Sequence, residues 1–281
     1  MSFATIEFYE AQQVLVHSAR EHVDGFIWYR ERDLPRDFRR RNHQLFRDQR
    51  GFGYFVWKPW VILDALAKID DGDLLLYVDS GNTITSDPAP LFELCAASHL
   101  GIVVFDNRDW CPGGNVWKNS MFTRGDCFER MHATGPEFIG GDQVNASYLV
   151  VQKRPAALDF LTEFLHACED YQIVSDVPNV LRENEPDFLD HRHDQSVLSI
   201  LAIKHGIPFE RDPSQFGNHL INIKGTFPQI FDHNRHRRTY SRLTRAWLAG
   251  QGLLRAALRR IARVEKGVTW IAPRSDDADD A

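Results

Sequence analysis

Residues 72–81 read Gly72-Asp73-Leu74-Leu75-Leu76-Tyr77-Val78-Asp79-Ser80-Gly81. Five apolar residues between a Gly-Asp pair and a polar turn make a short strand buried on both faces. A carboxylate just past the carboxyl end of such a strand stands where open α/β sheets bind ligands. An acidic turn there can hold a divalent ion, which in turn holds a diphosphate. Asp79 can equally cap the next turn, with Ser80 and Gly81 as turn residues.

Outward from this strand the pattern alternates. Towards the N-terminus, Pro59 suits the first turn of a helix whose apolar face is Val61, Ile62, Leu63, Leu66 and Ile69, with Gly72 as its stop. Ala4 to Tyr9 and Gly25 to Tyr29 read as strands around a helix over Glu10 to His22. Towards the C-terminus come a helix over Ala89 to Ala97, a buried strand over Gly101 to Phe105, a strand over Asn145 to Gln152 and a helix over Ala156 to Tyr171. A last helix spans His193 to His205, burying Val197, Leu198, Leu201 and Ala202. Strands alternating with helices predict an α/β fold with a mostly parallel, layered sheet.

The 281 residues suffice for one large domain or two modest ones, and 43% hydrophobic with 26% charged residues is ordinary globular composition. Met1 to Glu10 lacks the basic and apolar regions of a secretory leader. The four cysteines, at 95, 111, 127 and 168, lie too far apart for a zinc knuckle or a redox pair. The expectation is a reduced, cytoplasmic chain. The net charge of −6 is uneven: Arg235 to Lys266 carries ten basic residues and one acid, leaving about −15 for the rest. An acidic body argues against nucleic acid as a partner, because neutralising phosphates needs a broad basic face.

Several chemistries are excluded by what is missing. Gly51-Phe52-Gly53 lacks the third glycine of a dinucleotide fingerprint and precedes rather than follows a buried strand. The sequence has no phosphate loop ending in Gly-Lys-Ser/Thr, no zinc-protease helix and no nucleophile elbow. Two polar constellations remain. His191-Arg192-His193-Asp194-Gln195-Ser196 opens a helix, where Asp194 is a good cap and its basic neighbours suit a phosphate or leaving-group oxygen. Gly141-Asp142-Gln143-Val144-Asn145-Ala146-Ser147 leads into a strand.

Taken in order, GFGYFVWKPW, GDLLLYVDSGNTI, GDQVNASYLVVQK, IVSDVPN and HRHDQSVLSIL resemble a family of bacterial and viral glycosyltransferases of the GT-A fold, and more distantly the glycogenin-like transferases. The resemblance spans roughly residues 3 to 240 and implies a Rossmann-like domain over 1–234 with a mixed, mostly parallel sheet. It implies a nucleotide-sugar donor, a UDP-sugar, held at Asp79, Ser80 and Gly81 on its metal and ribose side. It places Lys58 near the donor phosphates or sugar, Asn145 and Ala146 in the sugar site, and Asp194 and Gln195 near the reaction centre. His191 and Arg192 would face the diphosphate. His233 corresponds to a late metal-ligand histidine, so Asp79 and His233 would hold Mn2+ or Mg2+. Gly81 departs from the pattern by replacing the second aspartate of Asp-x-Asp, which weakens the cation site.

In this reading Asp194 is the catalytic residue, steadying the sugar cation or deprotonating the acceptor hydroxyl, and the likeness to glycogenin favours retention. The acceptor would be a glycan or glycolipid. Two further readings stay open: a degenerate scaffold acting as a binding subunit, and nucleotidyl transfer to a sugar phosphate. Tyr54, Trp57 and Trp60 are either core or a stacking surface for uracil or sugar.

Leu243, Trp247, Leu254, Leu258 and Ile261 recur at helical spacing against Arg242, Arg245, Arg255, Arg259, Arg260 and Arg263. A basic amphipathic segment, 235–270, can lie on an anionic membrane surface through 242–263, which would make the chain peripheral to the inner face of a membrane. It can also pack on the acidic body. The acidic tail, 271–281, reads as disordered.

Overall fold

The computed structural model describes residues 1–48, 50–107, 117–220 and 227–233, together with the backbone of 268–270. Its strands are β1 (Ser2–Ala4), β2 (Gly25–Arg30), β3 (Leu74–Val78), β4 (Asn82–Ile84), β5 (Ile102–Phe105), β6 (Tyr148–Gln152), β7 (Phe209–Glu210), β8 (Phe231–His233) and β9 (Val268–Trp270). The helices that matter to the site are α1 (Tyr9–Ala19), α2 (Trp57–Leu66), α3 (Ala89–Ala97), α4 (Pro155–Glu169), α5 (Tyr171–Val174) and α6 (Asp194–Lys204).

Strands β9-β2-β1 and β3-β6-β5-β7 form two ladders. Met1 joins them: its amine donates to Leu76 O at 2.6 Å and its carbonyl accepts from Val78 N at 3.1 Å, the bonding of parallel neighbours. Strand β6 is antiparallel to both β3 and β5, while β1 pairs parallel with β2 and β5 with β7. Hence β1, β2, β3, β5 and β7 share one direction, and β6 and β9 oppose it. This is the mixed, mostly parallel α/β sheet expected.

Alternation along the strands sorts the core onto two faces. Leu75, Tyr77, Ile102, Val104, Leu149 and Val151 pack beneath α2, α4 and α6. Leu76, Val78, Val103, Phe105, Tyr148 and Val150 pack on the other face with Leu15 of α1 and Leu91 and Cys95 of α3. The central strands are therefore apolar on both sides, and each ends in polar residues only where the sheet runs out.

Three of the boundaries that differ from expectation have a local cause. The strand over Ala4–Tyr9 stops at Ala4, because the Glu31 carboxylate accepts both Ile6 N–H and Tyr9 O–H at 2.6 Å and bends the chain into a 3-10 turn. The helix containing Pro59 ends at Leu66 rather than near Gly72, whose N–H is instead bonded to Lys153 O. Strand β6 begins at Tyr148, since Asn145 Oδ1 accepts Ser147 N–H in a local turn. The amphipathic segment 242–263 and the tail 271–281 lie outside the described residues, and the segment drawn as 235–270 ends in a strand paired with β2.

Candidate active site

A cleft of about 830 Å³ opens where β1, β3 and β8 end; Asp79, Ser80, Gly81, Ser147 and His233 line it. Asp79 is fixed through its backbone: its N–H donates to Ser147 O at 2.9 Å and its carbonyl accepts Asn82 Nδ2 at 2.8 Å. Asn82 is register partner to His233, so one ladder sets both candidate cation ligands. Asp79 and Tyr77 stand two residues apart on one strand face, and the Tyr77 hydroxyl donates to Asp79 Oδ1 at 2.5 Å.

Beneath the cleft lies a buried charged group. Lys58, in the first turn of α2, is 4% exposed, and its Nζ stands 2.6 Å from Asp194 Oδ2 and 3.8 Å from Asp79 Oδ1. The same Nζ donates to Ala146 O at 3.0 Å. The Asp194 contact is a buried ion pair. Burial alone would lower the Lys58 pKa, but Asp194 and Asp79 outweigh it and hold the ammonium charged. Burial pushes the Asp194 carboxyl up to about 6, against the pull of Lys58.

The remaining expected residues occupy other positions. Asn145 Nδ2 donates to Asp212 Oδ2 at 2.7 Å, and Gln195 Nε2 to Gln143 Oε1 at 2.9 Å. Gln143 continues to Asn119 and Thr123, a polar network behind the sugar-site segment. His191 is buried with both ring nitrogens engaged: Nε2 donates to Ile173 O, and Nδ1 accepts Arg124 N–H. Arg192 lies over the Trp117 and Phe122 rings. The geometry thus gathers Lys58, Asp79, Ala146 and Asp194 around one ammonium and gives His191 scaffold contacts.

The sequence reading missed Tyr77, whose signal was its i−2 spacing from Asp79. It also missed the backbone at 51–55, where Gly51, Phe52, Gly53, Tyr54 and Phe55 all have φ between 51° and 84°. This is one turn of left-handed helix, closed by Tyr54 N–H to Arg50 O at 2.8 Å and Phe55 N–H to Gly51 O at 3.2 Å. Each L-residue in that region costs about 1–2 kcal/mol, so three of them need firm support. Support comes from the Trp57 indole donating to Gly51 O at 3.0 Å and from Tyr54 O–H donating to Asp48 at 2.6 Å. Trp57 and Tyr54 belong to the core and Trp60 packs against it, whereas Phe52 and Phe55 line the cleft with Trp57.

Among the described residues no group of three His, Cys, Asp or Glu side chains is gathered to hold a metal ion. Asp79 and His233 supply a carboxylate and an imidazole to one cleft. That donor set suits a cation that takes its other ligands from a bound diphosphate rather than from a protein cage. No described helix is long and apolar enough to cross a membrane.

The sequence matches no protein-family model and no curated protein. Among solved structures, the chain is similar in fold to mouse xyloside xylosyltransferase 1 in its apo form, at 11% identity over 85% of this chain and 98% of that one, with a TM-score of 0.42. It is similar to the galactosyltransferase LgtC with donor and acceptor sugar analogues, at 14% identity over 89% and 94% of the two chains and a TM-score of 0.40. A glycosyltransferase involved in glycosylating the major capsid of PBCV-1 aligns at 13% identity over 87% and 95%, with a TM-score of 0.36. At these scores the likeness assigns no activity to the chain.

Proposed function

We propose that this chain transfers a sugar from a nucleoside-diphosphate sugar, a UDP-sugar, to a hydroxyl of a glycan or glycolipid. The observation that carries the reading is the buried Lys58 ammonium joining Asp79, on the cleft wall, to Asp194 behind it. Breaking a bond at an anomeric carbon puts positive charge on the sugar and negative charge on the leaving diphosphate. A site with a carboxylate fixed beside a cation-binding wall meets both.

Each residue then has a part. Asp79 and His233 would hold Mn2+ or Mg2+, which when bound neutralises the departing diphosphate. Tyr77 and Lys58 hold Asp79 Oδ1, leaving Oδ2 for the cleft. Asp194 supplies fixed negative charge to the sugar. Its burial behind Lys58 suits that role better than abstracting a proton from an incoming hydroxyl, which favours retention. Asn145, Ala146 and Gln195 shape the sugar pocket, and Ser80 and Gly81 admit the nucleotide backbone. The basic segment 242–263 would bring the enzyme to an anionic membrane carrying a lipid-linked acceptor.

Thermal unfolding with UDP, GDP and CDP, each with Mn2+ or with chelator, tests the donor site. Ligand at 100 times its dissociation constant adds about 2.7 kcal/mol. A shift with UDP and Mn2+ that Asp79→Ala abolishes is the expected result, followed by transfer from the UDP-sugar. No shift with any nucleotide removes the reading and leaves a non-catalytic scaffold.

A further inference from the structure

Asp194 and Lys58 reach each other from two stretches of unusual backbone, and those stretches pack together. Lys58 follows the left-handed turn 51–55. Asp194 follows His193, whose φ of 54° and ψ of −118° lie where residues other than glycine seldom go. The His193 ring, 2% exposed, sits 4.9 Å from the Tyr54 ring and 6.3 Å from the Phe55 ring. Its Nδ1 donates to Val174 O at 2.8 Å, at the end of α5. Its Nε2 has no hydrogen-bond partner, and Asp176 Oδ1 lies 3.9 Å from Nδ1, so the ring is held by one hydrogen bond, this carboxylate and packing.

We propose that His193 is a positioning residue: the backbone it holds in place, clamped beneath Tyr54 and Phe55, aims Asp194 at Lys58. Asp194 is the first residue of α6, so its direction is set by the peptide that His193 contributes. A relaxed φ at 193 would swing the start of the helix and part the carboxylate from the ammonium. On the other side, the Trp57 indole ties the left-handed turn to the residue next to Lys58. The two segments brace one another, and each fixes one half of the ion pair. The geometry stands by itself; the consequence for rate rests on the proposed sugar transfer.

The test compares His193→Gly, His193→Asn and His193→Ala in the full chain. Glycine takes this backbone freely, and asparagine tolerates positive φ better than alanine and can still donate to Val174 O. Alanine does neither. One readout is the 13Cγ titration of Asp194, which faces Lys58 from α2 and Asp79 from the end of β3, and which reports their pairing whether or not sugar is transferred. The other is kcat against donor KM.

The asparagine variant is expected to keep the Asp194 midpoint and to hold kcat within about 5-fold, glycine, which fits the backbone but lacks the clamp, to fall between, and alanine to move the midpoint and lower kcat about 100-fold at little-changed KM, the effect of a misplaced group. A packing role predicts the reverse order, with alanine at or above glycine; that order, or equal behaviour, overturns the proposal. If the alanine variant does not fold, asparagine against glutamine repeats the comparison, because glutamine keeps the amide and loses the backbone tolerance. A wild-type chain that transfers no sugar, with the titration order intact, overturns the proposed function and leaves the positioning role standing.

Discussion

The Lys58 ammonium lies 2.6 Å from an Asp194 oxygen, and both side chains are 4% exposed. Breaking such a pair from one side leaves a buried charge without its partner, which costs about 3–5 kcal/mol. Lys58→Met is therefore expected to be strongly destabilising in urea at pH 8. The loss shrinks at pH 5, where Asp194 takes up a proton. Lys58→Met with Asp194→Asn recovers part of the loss, since the double variant buries no unpaired charge there.

Asp194 has its own pH signature. Its folded pKa, pushed up by burial to about 6, exceeds the unfolded value near 3.9. The folded state therefore holds the proton more tightly, and the group's favourable contribution, full below pH 4, is lost as pH rises through about 6. Asp194→Asn should flatten the stability profile between pH 4 and 6 and lower transfer about 100-fold or more. In the wild type, transfer should fall below about pH 6, where the carboxylate is neutralised.

Cation dependence should separate Asp79 from His233. With a carboxylate and an imidazole as the protein's donors, removing either leaves the diphosphate to carry the ion. His233→Ala is expected to raise the Mn2+ concentration needed for the UDP-induced thermal shift by about 10-fold, while Asp79→Ala abolishes that shift. Chelator should reproduce the Asp79→Ala result in the wild type.

Asp126, in the short helix Gly125–Arg130, tests a scaffold feature. Burial would raise its pKa, but backbone N–H groups of Arg182, Val180 and Leu181 outweigh it and bring it to about 2. A carboxyl depressed in the folded state adds stability above its unfolded pKa, and that stability is lost as pH falls through the folded value. Asp126→Asn turns an acceptor of four N–H bonds, three from backbone and one from Gln172 Nε2, partly into a donor. It should cost about 2 kcal/mol at pH 7 and much less near pH 2, measured by urea unfolding.

How much of this was legible in the sequence depends on what kind of signal each element needed. β3 and β5 announce themselves, because a strand buried on both faces must be an apolar run with polar ends. Lys58, Asp79 and Asp194 could be named together only through the order of motifs; nothing local in 58 and 194 says that the two side chains meet. The turn at 51–55 was hidden, since Gly51 and Gly53 hint at positive φ but Phe52, Tyr54 and Phe55 oppose it. Tertiary packing of those rings overrides their preference. His191 looked like a phosphate ligand in the sequence, and only the carbonyl of Ile173 and the amide of Arg124 show where its nitrogens go.

The reversed course of β6 has a consequence for how the chain folds. Because β6 runs against β3, its first residues, not its last, meet the end of β3, and Ala146 and Ser147 arrive beside Asp79 and Lys58. Run the other way, five residues at about 3.4 Å each would carry them to the far edge of the sheet. The pairing also joins Leu74 to Gln152, contacts far apart along the chain, and such closures form slowly. Until β6 slides into place between β3 and β5, the Lys58 ammonium lacks its carbonyl and Asp79 lacks its anchor. Nucleotide should therefore recognise only chains in which β6 has paired with β3, which makes its binding a reporter of that long-range closure.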